Sequence, residues 1–125
     1  MKIIKLNLPW PPSINHAKGI RNNKPYPTDE MKKFKDEVAI EVRRRYPGLS
    51  LGKARIEVHI QAFPKDRRRR DLDNIQKVLL DSLQAAGLFD DDEQIDYLSI
   101  LRGPRMKEAM VDGLIKEKSR PGEKQ

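Results

Sequence analysis

Residues 56–62 read Ile-Glu-Val-His-Ile-Gln-Ala, and this stretch decides the fold class. Apolar and polar residues alternate along it, which is the pattern of a β-strand with one buried face. A helical pattern follows the strand and ends at Gly87, a residue suited to helix C-termini. Another helical pattern precedes the strand, with Thr28 as its expected N-cap and Tyr46 near its end. The centre of the chain is therefore predicted to be a strand between two helices.

Three further strands complete the prediction. Residues 3–8 alternate in polarity, and residues 95–102 and 109–116 have strand character, separated by a turn. The order is β-α-β-α-β-β. We therefore predict a small single domain of the α+β class over residues 1–118, with a mixed four-stranded sheet and two helices. Residues 119–125 are expected to form a mobile polar tail.

The composition excludes several classes of chemistry. The 125 residues include 26 Lys+Arg and 19 Asp+Glu, and a net charge of +7 indicates a polyanionic partner such as nucleic acid. The absence of Cys excludes disulfides and thiolate metal sites, and only two His remain, so carboxylates binding hard cations are the metal chemistry left. No apolar run reaches the roughly 18 residues of a membrane helix, and no signal peptide is evident. We expect a cytoplasmic protein that uses neither a membrane nor a small-molecule substrate.

Two acidic stretches carry the candidate chemistry. Asp71 directly precedes the second helix and Asp73 begins it, so the two carboxylates can converge on one point. Residues 90–93, Asp-Asp-Asp-Glu, follow the same helix. We expect the two stretches to meet around a divalent cation, because clustered carboxylates repel one another without one. Lys77 lies one turn after Asp73, where it can stabilise developing negative charge.

Basic residues stand beside the first acidic stretch. Four consecutive arginines run directly into it, and such a tract fits a phosphate-binding loop. The segment 13–27 has no apolar period and is predicted to be a basic surface loop. The candidate DNA-binding residues are Arg67, Arg68, Arg69 and Arg70, with Lys18, Arg21 and Lys24 in the loop.

Each of these features also has a simpler explanation. An acidic pair at a helix start is more often a cap than a metal site, and Asp73 with Lys77 is then an exposed pair worth about 0.3–0.5 kcal/mol. Residues 90–93 are then a solvated turn. Trp10 is expected to pack over the sheet edge rather than to stack on a base. Taken together, these simpler explanations describe a non-catalytic basic nucleic-acid-binding protein, which is the alternative to a metal-dependent nuclease. A third possibility is a nuclease that acts on flaps, forks or RNA.

Three motifs carry a family resemblance. They are Leu8-Pro-Trp-Pro-Pro-Ser13, Asp66-Arg-Arg-Arg-Arg-Asp-Leu-Asp-Asn74 and Asp91-Asp-Glu-Gln-Ile95. Together they resemble the RusA family of Holliday-junction resolvases. The resemblance extends across nearly the whole chain, and the middle motif is long and unusual.

The resemblance implies a homodimeric endonuclease that nicks four-way DNA junctions symmetrically in recombination and repair. A dimer suits this task, because a junction has two-fold-related strands and a C₂ dimer offers two symmetric sites. The implied cofactor is Mg²⁺, with Mn²⁺ as a substitute, and the implied reaction is phosphodiester hydrolysis. The family's metal-binding and catalytic acids correspond to Asp71, Asp73 and Asp92 (Asp91 in the alternative register), and its essential lysine corresponds to Lys77.

Overall fold

The computed structural model describes residues 2–13, 18–21, 24–67 and 71–118, with the backbone alone for residues 18–21 and 24–27. The predictions made for Arg68, Arg69 and Arg70, and for the tail 119–125, lie outside the described residues. The side chains of three further candidates lie outside them as well, namely Lys18, Arg21 and Lys24.

The predicted order of elements is confirmed. The strands and helices, numbered along the chain, are β1 (Ile3–Pro9), β2 (Lys18–Arg21), β3 (Lys24–Pro27), α1 (Asp29–Arg45), β4 (Ile56–Phe63), α2 (Leu72–Ala85), β5 (Ile95–Arg102) and β6 (Met110–Glu117). A short 3₁₀ turn, Asp92–Gln94, leads directly into β5. The class is α+β, as predicted.

The main sheet is mixed, with four strands in the order β1-β6-β4-β5. Strands β4 and β5 are parallel, whereas β6 is antiparallel to both β1 and β4. Parallel neighbours need a crossover connection, and here α2 provides it. The edge where β1, β4 and β5 end is called the upper edge, and the edge where they begin is called the lower edge. Helix α2 therefore starts at the upper edge and ends at the lower edge.

One face of the sheet is buried under both helices. In β4 the side chains of Ile56, Val58, Ile60 and Ala62 are at most 2% exposed, as their alternation predicted. Helix α1 packs its apolar stripe onto this core, and its N-terminus is capped by Thr28, whose Oγ1 accepts a hydrogen bond from the backbone N–H of Met31 at 3.3 Å. The remaining buried apolar residues of the sheet come from β1 and β6: Ile4, Leu6, Leu8, Val111 and Ile115.

The opposite face of the sheet is open and largely polar. His59 of β4 lies on this face. Its Nδ1 is 3.1 Å from Ser99 Oγ on the neighbouring β5. Its ring centroid is 5.0 Å from that of Tyr97. These contacts join β4 to β5 across the open face.

The segment 13–27 differs from the prediction of a surface loop. Strands β2 and β3 pair antiparallel, with Arg21 opposite Lys24, and form a separate two-stranded sheet. The prediction was wrong because the segment lacks the alternation of polar and apolar residues by which we recognised the other strands. The overlooked sequence signal is the pair Asn22-Asn23, since asparagine favours two-residue hairpin connections.

Gly103 follows β5 at a point where there is no room for a side chain. A Cβ at this position would lie 2.6 Å from ring carbons of Phe63, whereas a Cβ on buried Gly113 of β6 would meet nothing within 4 Å. The two glycines therefore form a matched pair for mutagenesis.

We expect Gly103→Ala to lower the free energy of unfolding by about 1–3 kcal/mol, the usual cost of overpacking. Gly113→Ala should change it by less than about 0.5 kcal/mol, or stabilise slightly by restricting the unfolded chain. Urea unfolding followed by circular dichroism measures both. Equal effects for the two variants would contradict the assigned contact with Phe63.

Candidate active site

The first acidic stretch lies at the upper edge of the sheet. Asp71 occupies the N-cap position of α2 in extended geometry (φ −84°, ψ 126°). Its backbone carbonyl accepts hydrogen bonds from the N–H groups of Asn74 and Ile75, at 3.2 and 3.4 Å. Its carboxylate makes no capping hydrogen bond to the helix. Capping is therefore not the role of this side chain, although its backbone begins the helix as predicted.

Asp73 and Lys77 project from the first turns of α2 into solvent. Both side chains are exposed, and their spacing places them on the same face of the helix. No ion pair joins them among the residues that the structure describes. The simpler explanation, an exposed i,i+4 pair, is therefore not observed. This end of α2 presents a carboxylate and an ammonium group side by side.

The second acidic stretch forms a tight turn at the lower edge. Asp91 caps the 3₁₀ turn, because its Oδ1 accepts a hydrogen bond from the N–H of Glu93 at 3.0 Å. Gln94 completes the capping box: its Oε1 accepts hydrogen bonds from the N–H groups of Asp90 and Asp91 at 3.0 and 2.9 Å. The turn is thus held by its own side chains.

The buried Gln94 also anchors this turn to the body of the domain. It is only 4% exposed, and its amide group donates to the carbonyls of Gly52 and Ala54 at 2.9 and 2.6 Å. In addition, the N–H of Asp90 donates to the carbonyl of Gly52 at 3.1 Å. These bonds fix the acidic turn beside the segment that precedes β4.

The electrostatics of the turn distinguish its two central carboxylates. A side-chain hydrogen bond that the protonated Asp92 carboxyl donates to Asp91 raises the pKa of Asp92 above its ordinary value of 3.8, and burial and the charges of Asp91 and Asp81 add to the effect. The backbone N–H of Glu93 lowers the pKa of Asp91. Asp91 is therefore engaged in holding the turn. Asp92 is exposed, and among the described residues its carboxylate makes no hydrogen bond that holds the turn.

Within one protomer the two acidic stretches lie at opposite edges of the sheet. Helix α2 separates them, and its 14 residues span about 21 Å at 1.5 Å per residue. Accordingly, no group of three His, Asp or Glu side chains able to hold a metal ion occurs in the described ranges. The physical reason is the parallel pairing of β4 and β5, which requires the connection to cross the full height of the sheet.

Of the four consecutive arginines, only Arg67 lies within the described residues. Its side chain is exposed in the connection between β4 and α2, at the same edge as Asp71. Lys18, Arg21 and Lys24 lie in the strands β2 and β3. Of the basic candidates, at least Arg67 therefore lies at the upper edge, together with the acidic candidates Asp71 and Asp73.

Sequence reasoning missed Asp81. This exposed residue lies two turns after Asp73 on the same face of α2. Its negative charge contributes to the raised pKa of Asp92 at the lower edge. The signal was available as a spacing of eight residues from Asp73, but nothing in the chain marked it out from other surface acids. Asp81 extends the negative charge of the second acidic stretch along the helix.

A basic α+β domain with exposed carboxylates and an arginine at one edge has the features of a metal-dependent nuclease. The family described as "Endodeoxyribonuclease RusA" matches residues 9–111 of the chain. The chain therefore belongs to the RusA family of endodeoxyribonucleases, and this membership favours the enzyme over the non-catalytic binding protein. No helix in the described part of the chain is both long and apolar enough to cross a membrane.

Three relatives illustrate the similarity. The chain is 39% identical over 99 residues to "Crossover junction endodeoxyribonuclease rusA" of Enterobacteria phage HK97, covering 79% of this chain and 82% of the relative. It is 33% identical over 117 residues to the protein of that name from Escherichia coli (strain K12). The identity to the protein from Enterobacteria phage 82 is also 33% over 117 residues. The latter two matches cover 94% of this chain and 97% of each relative.

Gln94→Ala tests the anchor of the acidic turn. We expect the free energy of unfolding to fall by about 1–3 kcal/mol, because backbone groups at Gly52, Ala54, Asp90 and Asp91 lose a buried partner. Gln76→Ala, a half-buried glutamine of α2 with no such bonds among the described residues, is the control and should cost less than about 0.5 kcal/mol. Denaturant unfolding measures both variants, and an unchanged midpoint for Gln94→Ala would contradict the anchor.

Proposed function

We propose that the chain is a crossover-junction endodeoxyribonuclease that resolves four-way DNA junctions by paired symmetric nicks, acting in the cytoplasm in recombination and repair. The names of its relatives support this assignment. The observation that carries it is the exposed group of Asp71, Asp73 and Lys77 at the start of α2, on the same edge as Arg67. That group has the donors that phosphodiester hydrolysis needs.

The side chains present suit Mg²⁺. This cation binds one or two carboxylates and keeps its other positions for water and substrate phosphate, so Asp71 and Asp73 offer suitable donors. When bound, Mg²⁺ neutralises phosphate charge and acts as a Lewis acid, and Mn²⁺ can do the same. Lys77 stabilises negative charge that develops on the reacting phosphate or on the leaving 3′ oxygen. Arg67 and its neighbours hold the DNA backbone against the repulsion of the acids.

We propose that the third carboxylate, Asp92, comes from a second copy of the chain. Within one protomer Asp71 lies at the start of α2 and Asp92 lies beyond its end, and the 14 residues of the helix span about 21 Å. A two-fold axis between two antiparallel α2 helices brings the start of each helix beside the end of the other. Each of the two sites then takes Asp71, Asp73 and Lys77 from one protomer and Asp92 from its partner. The dimer therefore supplies both the symmetry and a missing ligand.

The edge strand β5 is suited to be the contact between protomers. This strand is the last in the sheet order, and it follows α2 along the chain. It carries two exposed apolar side chains: Tyr97 is 51% exposed and Leu101 is 62% exposed. Antiparallel pairing of β5 with its partner about Ser99 sets Tyr97 opposite Leu101 of the partner subunit. The same pairing makes the two α2 helices antiparallel neighbours, as the shared site requires.

Replacing Asp73 by Asn tests the metal-binding role. We expect nicking of a mobile four-way junction in Mg²⁺ to fall at least about 100-fold, because a ligand is lost. Junction binding without divalent metal should persist or tighten, because a charge that repels phosphate is removed. Asp36→Asn is the matched control: Asp36 is an exposed aspartate of α1 and lies outside the site. Near-wild-type nicking by Asp73→Asn would overturn the assignment.

Mixing two inactive variants tests the shared site. Asp73→Asn and Asp92→Asn should each be inactive alone, but a heterodimer of the two has one site in which both Asp73 and Asp92 are intact. We therefore expect co-refolded mixtures to recover nicking of one junction strand, to at most about half of the wild-type nicking rate. No recovery, with exchange of protomers verified by mass spectrometry, would show that each site belongs to one chain.

Cleavage of linear duplex as readily as junction would contradict the proposed substrate.

A further inference from the structure

A second basic feature lies at the upper edge, between the loop that follows β4 and the loop that follows β5. It is a cleft of about 360 Å³ whose lining includes three arginines, Arg67, Arg102 and Arg105. Asp66 contributes the only carboxylate of the lining, and Trp10 forms part of the wall. Three guanidinium groups against one carboxylate leave the cleft with a net positive charge. Neither Arg102 nor Arg105 belongs to the arginine run.

The two loops are fixed to each other by the backbone. The N–H of Gly103 donates to the carbonyl of Ala62 at 2.8 Å, and the N–H of Met106 donates to the carbonyl of Pro64 at 2.9 Å. The ring of Phe63 occupies the space that a side chain on Gly103 would need. Because both loops are held in this way, the arginines that they carry converge on the cleft in the folded chain itself. The arrangement is preorganised for a ligand.

Two arginines of the cleft, Arg67 and Arg105, differ from the paired arginines Arg44 and Arg55. Arg44 is paired with Glu41, and Arg55 is paired with both Glu93 and Asp96. By contrast, neither Arg67 nor Arg105 forms an ion pair with any residue that the structure describes. Two guanidinium groups that line one cleft without an ion pair favour an anionic ligand, and the planar guanidinium suits phosphate oxygens.

We propose that this cleft binds a backbone phosphate of the DNA strand that enters the active site, with Arg105 and Arg102 as contacts beyond the arginine run. The inference rests on the proposed nuclease function, because it takes DNA as the source of the phosphate. The cleft and Asp71 share the upper edge and lie on the same connection between β4 and α2. A strand held there is directed toward the carboxylates at the start of α2. The contact serves binding and register rather than reading of base sequence.

Trp10 gives the cleft its own spectroscopic signal. It is the only tryptophan of the chain and is half-buried against the core, in agreement with the packing role predicted for it. Tryptophan fluorescence, excited at a wavelength that tyrosine does not absorb, therefore reports on the cleft. We expect the emission of the wild-type protein to change as a four-way junction is added in Ca²⁺, which replaces Mg²⁺ so that binding is measured without cleavage. Inorganic phosphate at the same phosphate concentration should produce no such change, because it lacks the additional contacts of the strand.

The direct test compares Arg105→Ala with Arg43→Ala. Arg43 is also exposed and has no ion pair among the described residues, but it lies in the last turn of α1, outside the cleft. We expect Arg105→Ala to weaken junction binding by about tenfold. It should also lower the slope of log affinity against log salt by about one. Arg43→Ala should leave affinity and slope near the wild-type values.

Single methylphosphonates in the junction then locate the contact. In the wild-type protein we expect one neutralised phosphate near the cut to weaken binding, and in Arg105→Ala the same change should have no further effect. If the Arg105→Ala and wild-type proteins have equal junction affinity and equal salt slope while the wild-type protein still nicks the junction, the proposed phosphate contact in the cleft is wrong. The proposed nuclease function is not affected by that result. A wild-type protein that binds the junction and never nicks it in Mg²⁺ would overturn the nuclease function instead. Saturation of the Trp10 signal by inorganic phosphate alone would show a small-anion site and contradict the DNA contact.

Discussion

The parallel pairing of β4 with β5 is the constraint on which the rest of the structure depends. Parallel neighbours cannot be joined by a tight turn, so the chain crosses over through α2 and returns at the opposite edge of the sheet. The apolar side of the helix closes the core, while its exposed side holds Asp73 and Lys77. The same crossover places the two acidic stretches at opposite ends of α2, whose 14 residues span about 21 Å. A site that needs both stretches therefore needs two chains.

The acidic residues divide into those that hold the fold and those left for chemistry. Asp91 caps the turn before β5, and Asp96 is paired with Arg55 and Lys118, so these carboxylates already have protein partners. Asp73 is exposed without an ion pair among the described residues, and Asp92 has a raised pKa from its neighbours. The buried side chain of Gln94 anchors the turn to the domain, so the carboxylate of Asp92 is not needed for that anchoring. Asp91 and Gln94 thus hold the turn, while the Asp92 carboxylate of the same short stretch stays exposed.

Much of the fold was predictable because its elements are strongly patterned. The alternation in residues 56–62, the stripe of α1 and the cap at Thr28 each depend on near neighbours, and each is confirmed. The hairpin β2–β3 was missed because its strands lack alternation of polar and apolar residues. The direction of β5 relative to β4 was not predictable, because side-chain alternation is the same in parallel and antiparallel strands. For that reason the sequence identified the candidate acids individually but left open whether the two stretches meet within one chain or between two.

The central claim is that the carboxylates of Asp73 and Asp92 are far apart within a chain and close between chains. The absence of native cysteines allows Asp73→Cys and Asp92→Cys to be introduced into one chain and spin-labelled cleanly. Labelled protein diluted in excess unlabelled protein should give a single long distance, on the order of the 21 Å length of α2. Undiluted protein should add a clearly shorter distance that vanishes on dilution. A short distance that survives dilution would contradict the account.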